Sequence, residues 1–347
     1  MRRPETINSR KPAASAAAGG WLGHAAGRLV LVLVLSGMSM QAARADETRW
    51  SFSFILGGHV TEMQDLNRGL YNSPLVGEAT VLIREGGQNM GGEGEVIDQN
   101  ETEVIGFRFD NPLPNDTAAT IGGIEFSWNP NDRHAFFIGV GTWERTSISV
   151  TTDNLPLQQF NVSNVVNSER IATVSFTEYN LGWRYSFFRR PRFRFYTTLA
   201  IHEVFDIDYR ERWVFLFTES PIDDLVGVRR DMVVEAQTAS LFMGGAGLGM
   251  EWFLRDWLSL GFEGRYLVSQ DDFTLRDVKE RDDFNPNDEV FRTGMPYREL
   301  ADGTLGYLRP DATPADVQDP ATRENFYNDM KLKFDGWRLL FKVSIYY

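Results

Sequence analysis

From residue 50 onward the chain repeats with a period of two. In "WSFSFILGG" (50–58), Trp50, Phe52, Phe54 and Leu56 share one side. In "TEYNLGWRYSF" (177–187), Tyr179, Leu181, Trp183, Tyr185 and Phe187 alternate with Glu178, Asn180, Gly182, Arg184 and Ser186. "IGGIEFSW" (121–128), "FRFYTTLAIH" (193–202) and "WLSLGFEGRY" (257–266) behave alike. Successive side chains of a strand point to opposite faces, so this period predicts half-buried strands rather than helices. The predicted strands are 50–60, 119–128, 135–151, 170–187, 193–205, 233–254, 257–269 and 330–347.

The connections between them are lopsided. "NPNDRH" (129–134), "RRPR" (189–192) and "RDW" (255–257) are tight turns, whereas 61–118, 152–168, 206–232 and 270–329 are long and polar. Aromatic pairs bracket the tight turns: Trp128 and Phe136, Phe187 and Phe193, Trp252 and Trp257. Membrane barrels sort loops by membrane side in this way and carry aromatic girdles at the interfaces. The predicted fold is an all-β, transmembrane, antiparallel up-and-down barrel of eight strands. Both termini fall on the tight-turn side. Within 61–118, "EATVLIRE" (78–85) and "TEVIGFRF" (102–109) also alternate; as spanning strands they would raise the number to ten.

The polar parity of these strands is charged. Glu125, Glu178, Arg184, Arg194, Glu251, Glu263, Arg265, Arg338 and Lys342 all lie on it. A basic group facing lipid near the midplane would cost about 2–4 kcal/mol. Turned inward, four glutamates and five basic groups can pair, and buried charges persist only when paired. These residues are therefore expected to form a lumen network that fills the barrel. The glycines of "LFMGGAGLGMEWF" (241–253) are expected on its inner wall, leaving room for large side chains across the lumen.

Composition changes the picture at the N-terminus. Mean hydropathy is −0.30, and no stretch of 18 apolar residues would make a transmembrane helix. Arg2, Arg3, Arg10, Lys11 and Arg28 precede "LVLVLVLSGMSM" (29–40), and Ala43 and Ala45 follow. A basic leader, a short apolar core and an A-x-A site read as an export signal over 1–45, with the barrel domain over 46–347. Removing the leader's six basic residues and one glutamate takes the net charge from −13 to −18, which argues against nucleic-acid binding. The chain has no cysteine.

The last strand carries a resemblance. Leu339, Phe341, Val343, Ile345 and Tyr347 alternate with Lys342, Ser344 and Tyr346 up to the final residue. With the export signal and the loop asymmetry, this ending resembles the small outer-membrane β-barrels of Gram-negative bacteria, of the OmpA-barrel and OmpX type. The resemblance implies an outer-membrane location, contact with lipid and lipopolysaccharide, and recognition of Phe341, Val343, Ile345 and Tyr347 by the barrel-assembly machinery. It covers the architecture of the mature chain but only the last strand in motif. The first and last long loops are larger than usual for that group.

Few residues point to chemistry. His59 and His202 fall on the inward parity and are expected near the outer mouth, close to Asp206 and Asp208. On opposite walls they are not expected to share a site, and no local Ser/His pair accompanies them. Regions 61–118 and 270–329 each carry a net charge of −8. Within "ERDDFNPNDE" (280–289), Asp283, Asn285, Asn287 and Asp288 are oxygen ligands of the kind hard cations take, but the spacing is not that of an EF-hand. Nothing calls for a cofactor. The expected function is non-enzymatic: a barrel anchoring extracellular loops for envelope integrity, adhesion or binding of a protein partner or second copy. The alternatives are a narrow porin-like channel for small solutes and a hydrolase at the outer mouth.

Overall fold

A computed structural model describes residues 49–61, 72–84, 100–114, 118–157, 162–219, 226–238, 240–270, 272–285, 291–294, 296–313, 315–316 and 322–347. The predicted leader 1–45 lies outside them. No helix among the described residues is long and apolar enough to cross a membrane.

Eight strands close a ring. They are β1 (Arg49–Thr61), β4 (Ala118–Asn129), β5 (His134–Leu157), β6 (Val162–Arg190), β7 (Phe193–Glu219), β9 (Leu241–Arg255), β10 (Leu258–Ser269) and β18 (Gly336–Tyr346). The order around the wall is β7-β6-β5-β4-β1-β18-β10-β9, and β9 pairs back to β7. All the pairings are antiparallel, so every neighbour but one is next in the chain or reached across a long-loop insertion. The seam joins the first and last strands, with Phe52 opposite Ile345 and His59 opposite Arg338. Closure leaves no unpaired edge, the condition for strands in a lipid core.

The two stretches that would have made ten strands stay out of the ring. They form β2 (Leu75–Arg84) and β3 (Asn100–Phe109), which pair with each other and with β13 (Phe291–Gly294). The predicted strand 233–254 is two elements. Its first part belongs to β8 (Arg229–Thr238), which pairs with upper β7 and with β12 (Arg276–Asn285); only its second part, β9, enters the barrel. Two stretches expected as long loops are strand instead. β5 and β6 run 24 and 29 residues and carry the wall through most of 152–168, and β7 continues to Glu219. These extensions are polar because they stand above the lipid, and their Thr, Val and Ile content suits strand there. The closing strand starts at Gly336 rather than 330. Before it come the short strands β11 (Phe273–Thr274), β14 (Tyr297–Glu299), β15 (Leu305–Leu308), β16 (Tyr327–Asp329) and β17 (Lys331–Leu332), which belong to the extramembrane lobe.

The outer wall is apolar around its lower half. Leu56, Ile138, Leu181, Ile201, Leu248 and Phe341 are all exposed. At the tight-turn end Trp50 stacks on Phe126 (5.0 Å), Trp128 on Phe136 (5.7 Å) and Phe193 on Trp252 (6.0 Å). At the other end Trp337 packs edge-on against Tyr266 at 5.3 Å. Ten residues separate Trp337 from Tyr347; at about 3.3 Å per residue and a tilt near 40° they rise roughly 25 Å, the height of a lipid-facing band. The barrel therefore spans a membrane. Ile345 departs from the expected lipid exposure: it has the outward parity but is 4 % exposed. Its register partners Phe52 and Leu258 flank it on both sides.

Glycine sets the bore. Gly249 on β9 pairs in register with Tyr196 on the neighbouring β7, and a Cβ there would overlap the phenol ring; one at Gly247 would overlap the carbonyl of Gly264 and press on Arg265. Gly249→Val should thus displace Tyr196 and cost about 1–3 kcal/mol by overpacking, read as a lower unfolding midpoint in urea at unchanged slope.

Candidate functional site

The inward parity places all nine predicted lumen charges inside the ring, where they settle into tiers. The lowest lies just above the tight turns. Arg194 donates to Glu251 through Nε (3.0 Å) and to the Tyr346 hydroxyl (2.6 Å). Tyr346 in turn donates to Glu251 (2.5 Å), as does Ser259. Tyr346, left out of the expected charge network, belongs to it because its parity is that of Lys342.

The middle tier is the densest. Arg184 grips Glu125 through both terminal nitrogens at 2.6 Å and reaches Glu263 at 3.3 Å. Glu263 also receives Lys342 (2.5 Å), Arg265 and the hydroxyl of Tyr196 (3.0 Å). Phe137 lies beneath the cations, 4.0 Å from the Arg184 guanidinium and 5.0 Å from that of Arg265. Such a group survives burial because each carboxylate faces more than one donor.

The upper tier corrects the expectation about the histidines. Arg338 holds Glu178 in a two-pronged pair at 2.5 and 2.9 Å. His202 Nδ1 lies 3.4 Å from the same carboxylate, and His59 Nδ1 lies 3.3 Å from Arg338. The bore is narrow enough for residues on opposite walls to meet on one ion pair. The histidines are also not at an open mouth: both are 0 % exposed. Asp206 and Asp208 do not join them. Asp206 takes a left-handed backbone, φ 51°, at a bulge, and the two aspartates line a groove on the outside of the wall.

Above the histidines the lumen turns apolar. Trp143 stacks on Phe176 at 5.0 Å, Phe334 packs against both, and His59 meets the edge of Trp143 at 6.2 Å. This lid continues into a core made with Tyr209, Tyr297, Leu305 and Leu332 of the extramembrane lobe. A second polar knot lies beyond it. Arg170 donates to Glu211 (2.6 Å) and to the Asn111 carbonyl (3.0 Å), and lies 4.6 Å over Trp213. Two small cavities lie between the tiers, about 20 Å³ beside Arg184 and Glu251 and about 10 Å³ between Glu178 and Arg338. Each has room for about one water.

No protein-family model matches the chain, and no curated protein matches it. Among solved structures it is similar to CarO2 of Acinetobacter baumannii, at 13 % identity over 65 % of this chain and 92 % of that one, with a TM-score of 0.30. It is similar to the outer membrane protease OmpT of Escherichia coli at 12 % identity, over 89 % and 99 %, with a TM-score of 0.31. A FadL homologue of Pseudomonas aeruginosa gives 7 % identity, 86 % and 90 %, and a TM-score of 0.16. The fold is that of an outer-membrane β-barrel. That statement rests on the closed ring, the lipid-facing belt and the charged bore; superpositions this loose lend the chain no activity.

Of the acidic loop candidates, only Asp283 and Asn285 fall among the described residues. Asp283 is exposed on β12 and pairs with Arg281 at 3.1 Å, and Asn285 ends that strand. Asn287 and Asp288 lie outside the described residues. Among the described residues no three His, Cys, Asp or Glu side chains are grouped to hold a metal ion.

Asp231 on β8 is one of the shifted carboxyls of the extramembrane lobe. The Arg212 guanidinium hydrogen-bonds it at 2.9 Å and holds its carboxyl below the usual range against the opposing effect of burial. A depressed folded-state pKa stabilises above the unfolded value of about 3.9 and ceases to do so as pH falls through the folded one. With Arg212 partly exposed, Asp231→Asn should cost about 0.5–1 kcal/mol at neutral pH. The gap to the parent should narrow as pH falls below the unfolded value and through the lower folded one; denaturant midpoints at neutral and at acid pH would check it.

Proposed function

We propose that this chain is an outer-membrane protein of a Gram-negative cell whose barrel is a closed, non-enzymatic anchor and whose extramembrane lobe is the working surface. The lid of Trp143, Phe176 and Phe334 over the His59–Arg338–Glu178–His202 tier carries this reading. A solute path would have to break two-pronged ion pairs and then pass an aromatic plug. The wall strands β5, β6 and β7 rise well beyond the lipid belt and join β8 and β12 in a raised sheet. That extension, with acidic regions 61–118 and 270–329, offers surface for lipopolysaccharide, a protein partner or a second copy.

The hydrolase reading loses support at the histidines. Neither is exposed, and among the described residues neither hydrogen-bonds a serine. A general base must reach the proton that it takes. Purified protein in planar bilayers should give no stable single-channel steps; reproducible steps would sink the closed-anchor reading. Turnover of lipid or peptide substrates should stay at background in the parent chain. A measurable rate that His59→Ala or His202→Ala abolished would overturn its non-enzymatic part.

A further inference from the structure

The charge of this chain is segregated end to end. Its long-loop regions are acidic, yet among the described residues the tight-turn rim carries Arg49, Arg133, Arg189, Arg190, Arg192 and Arg255 against Asp132 and Asp256, with Asp46 and Glu47 preceding Arg49 in the sequence. The β6–β7 turn "RRPR" contributes three of these arginines and no acid. Pro191 and the two-residue turn between Arg190 and Phe193 hold them close together. Arg189, Arg190 and Arg192 are exposed.

These residues border a recess of about 520 Å³ at the barrel's lower mouth. Arg49, Arg189 and Arg190 form its sides, and Arg194, fixed on Glu251 and Tyr346, lies at its floor. Asp132 is engaged by Arg189, and Asp256 also lines the space. Arginine rather than lysine supplies all the positive charge, and its planar fork suits phosphate oxygens. The recess is level with the turns, just beyond the Trp128–Phe136 and Phe193–Trp252 stacks that mark the membrane–water boundary.

We infer that this mouth is a phosphate-binding site, with Arg189 and Arg190 as the principal ligands and Arg49 and Arg194 adding positive field. A phosphate group can reach it from a lipid headgroup at the rim or as a soluble phosphate compound. Both present the same oxygens to the same forks.

The test uses the full-length mature chain in zwitterionic nanodiscs. One arm titrates pyrophosphate against tryptophan fluorescence at low and high salt. The other measures enrichment of phosphatidylglycerol around the barrel from a mixed bilayer by native mass spectrometry. Removing one charge-assisted hydrogen bond should weaken binding about tenfold. The Arg189→Ser/Arg190→Ser pair should therefore abolish the signal, Arg190→Lys should weaken it, and Arg133→Ser, on another turn, should leave it intact. Pyrophosphate binding assigns the site to a soluble phosphate, and lipid enrichment alone assigns it to a headgroup. Absence of both in the parent chain, or signals that survive the double substitution, would overturn the proposal. So would loss with Arg133→Ser alone. An unchanged heat-shifted mobility on gels will show that each variant remains a folded barrel.

Discussion

Glu263→Ala is expected to destabilise the barrel by about 3–5 kcal/mol, the cost of leaving a buried charge unpaired. This carboxylate is the shared partner of Lys342, Arg265 and Arg184, and it accepts from Tyr196. Without it those three cations depend on Glu125, which lies 3.5 Å from Lys342 and 4.0 Å from Arg265. The three tiers hold five basic and four acidic groups, so losing an acid deepens an existing surplus. Losing a base relieves it, and Lys342→Met should therefore cost less than Glu263→Ala. The double variant should be more stable than Glu263→Ala alone, because Arg184 and Glu125 remain paired and the surplus returns to one. Urea unfolding in detergent micelles for the three variants would give the coupling. Equal costs for the two single substitutions, or additive costs in the double, would contradict a charge-balanced tier.

The lumen was legible because its chemistry follows parity. A charge at every second position has only one place to go when the other face meets lipid, and all nine charges named from alternation lie inside the ring. Arg170 sits on that same even run of β6, at the first residue of its predicted strand, and could have been named by the same rule. Glu211 could not. Asp206 inserts a bulge on β7, so the inward face passes from even positions (Tyr196, Thr198, His202) to odd ones (Tyr209, Glu211, Trp213). Strict alternation puts Glu211 outside. The convergence of His59 and His202 was hidden for a different reason: strand spacing says which wall a residue is on, but not how narrow the bore is. That depends on how glycines make room for bulky inward residues beside them, as Gly249 does for its strand neighbour Tyr196. The apolar lid was hidden too, since Phe334 precedes the closing strand and packs on residues 158 or more positions away.

Two outward substitutions should separate lipid contact from mere exposure. Phe341 on β18 is 46 % exposed, and its register partners Leu56 and Phe262 are exposed beside it. It lies between Trp337 and Tyr347, inside the belt. Ile148 on β5 is 53 % exposed but lies on the extension above the belt, opposite Ile171. In a soluble protein an arginine at either site would be tolerated within about 0.5 kcal/mol. In a membrane barrel Phe341→Arg should cost about 2–4 kcal/mol, because a guanidinium near the midplane must leave water. Ile148→Arg should remain close to neutral, since its side chain stays hydrated. Reversible unfolding from phosphatidylcholine vesicles would measure both. A Phe341→Arg barrel as stable as Ile148→Arg would mean that the apolar belt does not face lipid. The polar bore would then need another explanation, because only lipid outside forces so much charge inward.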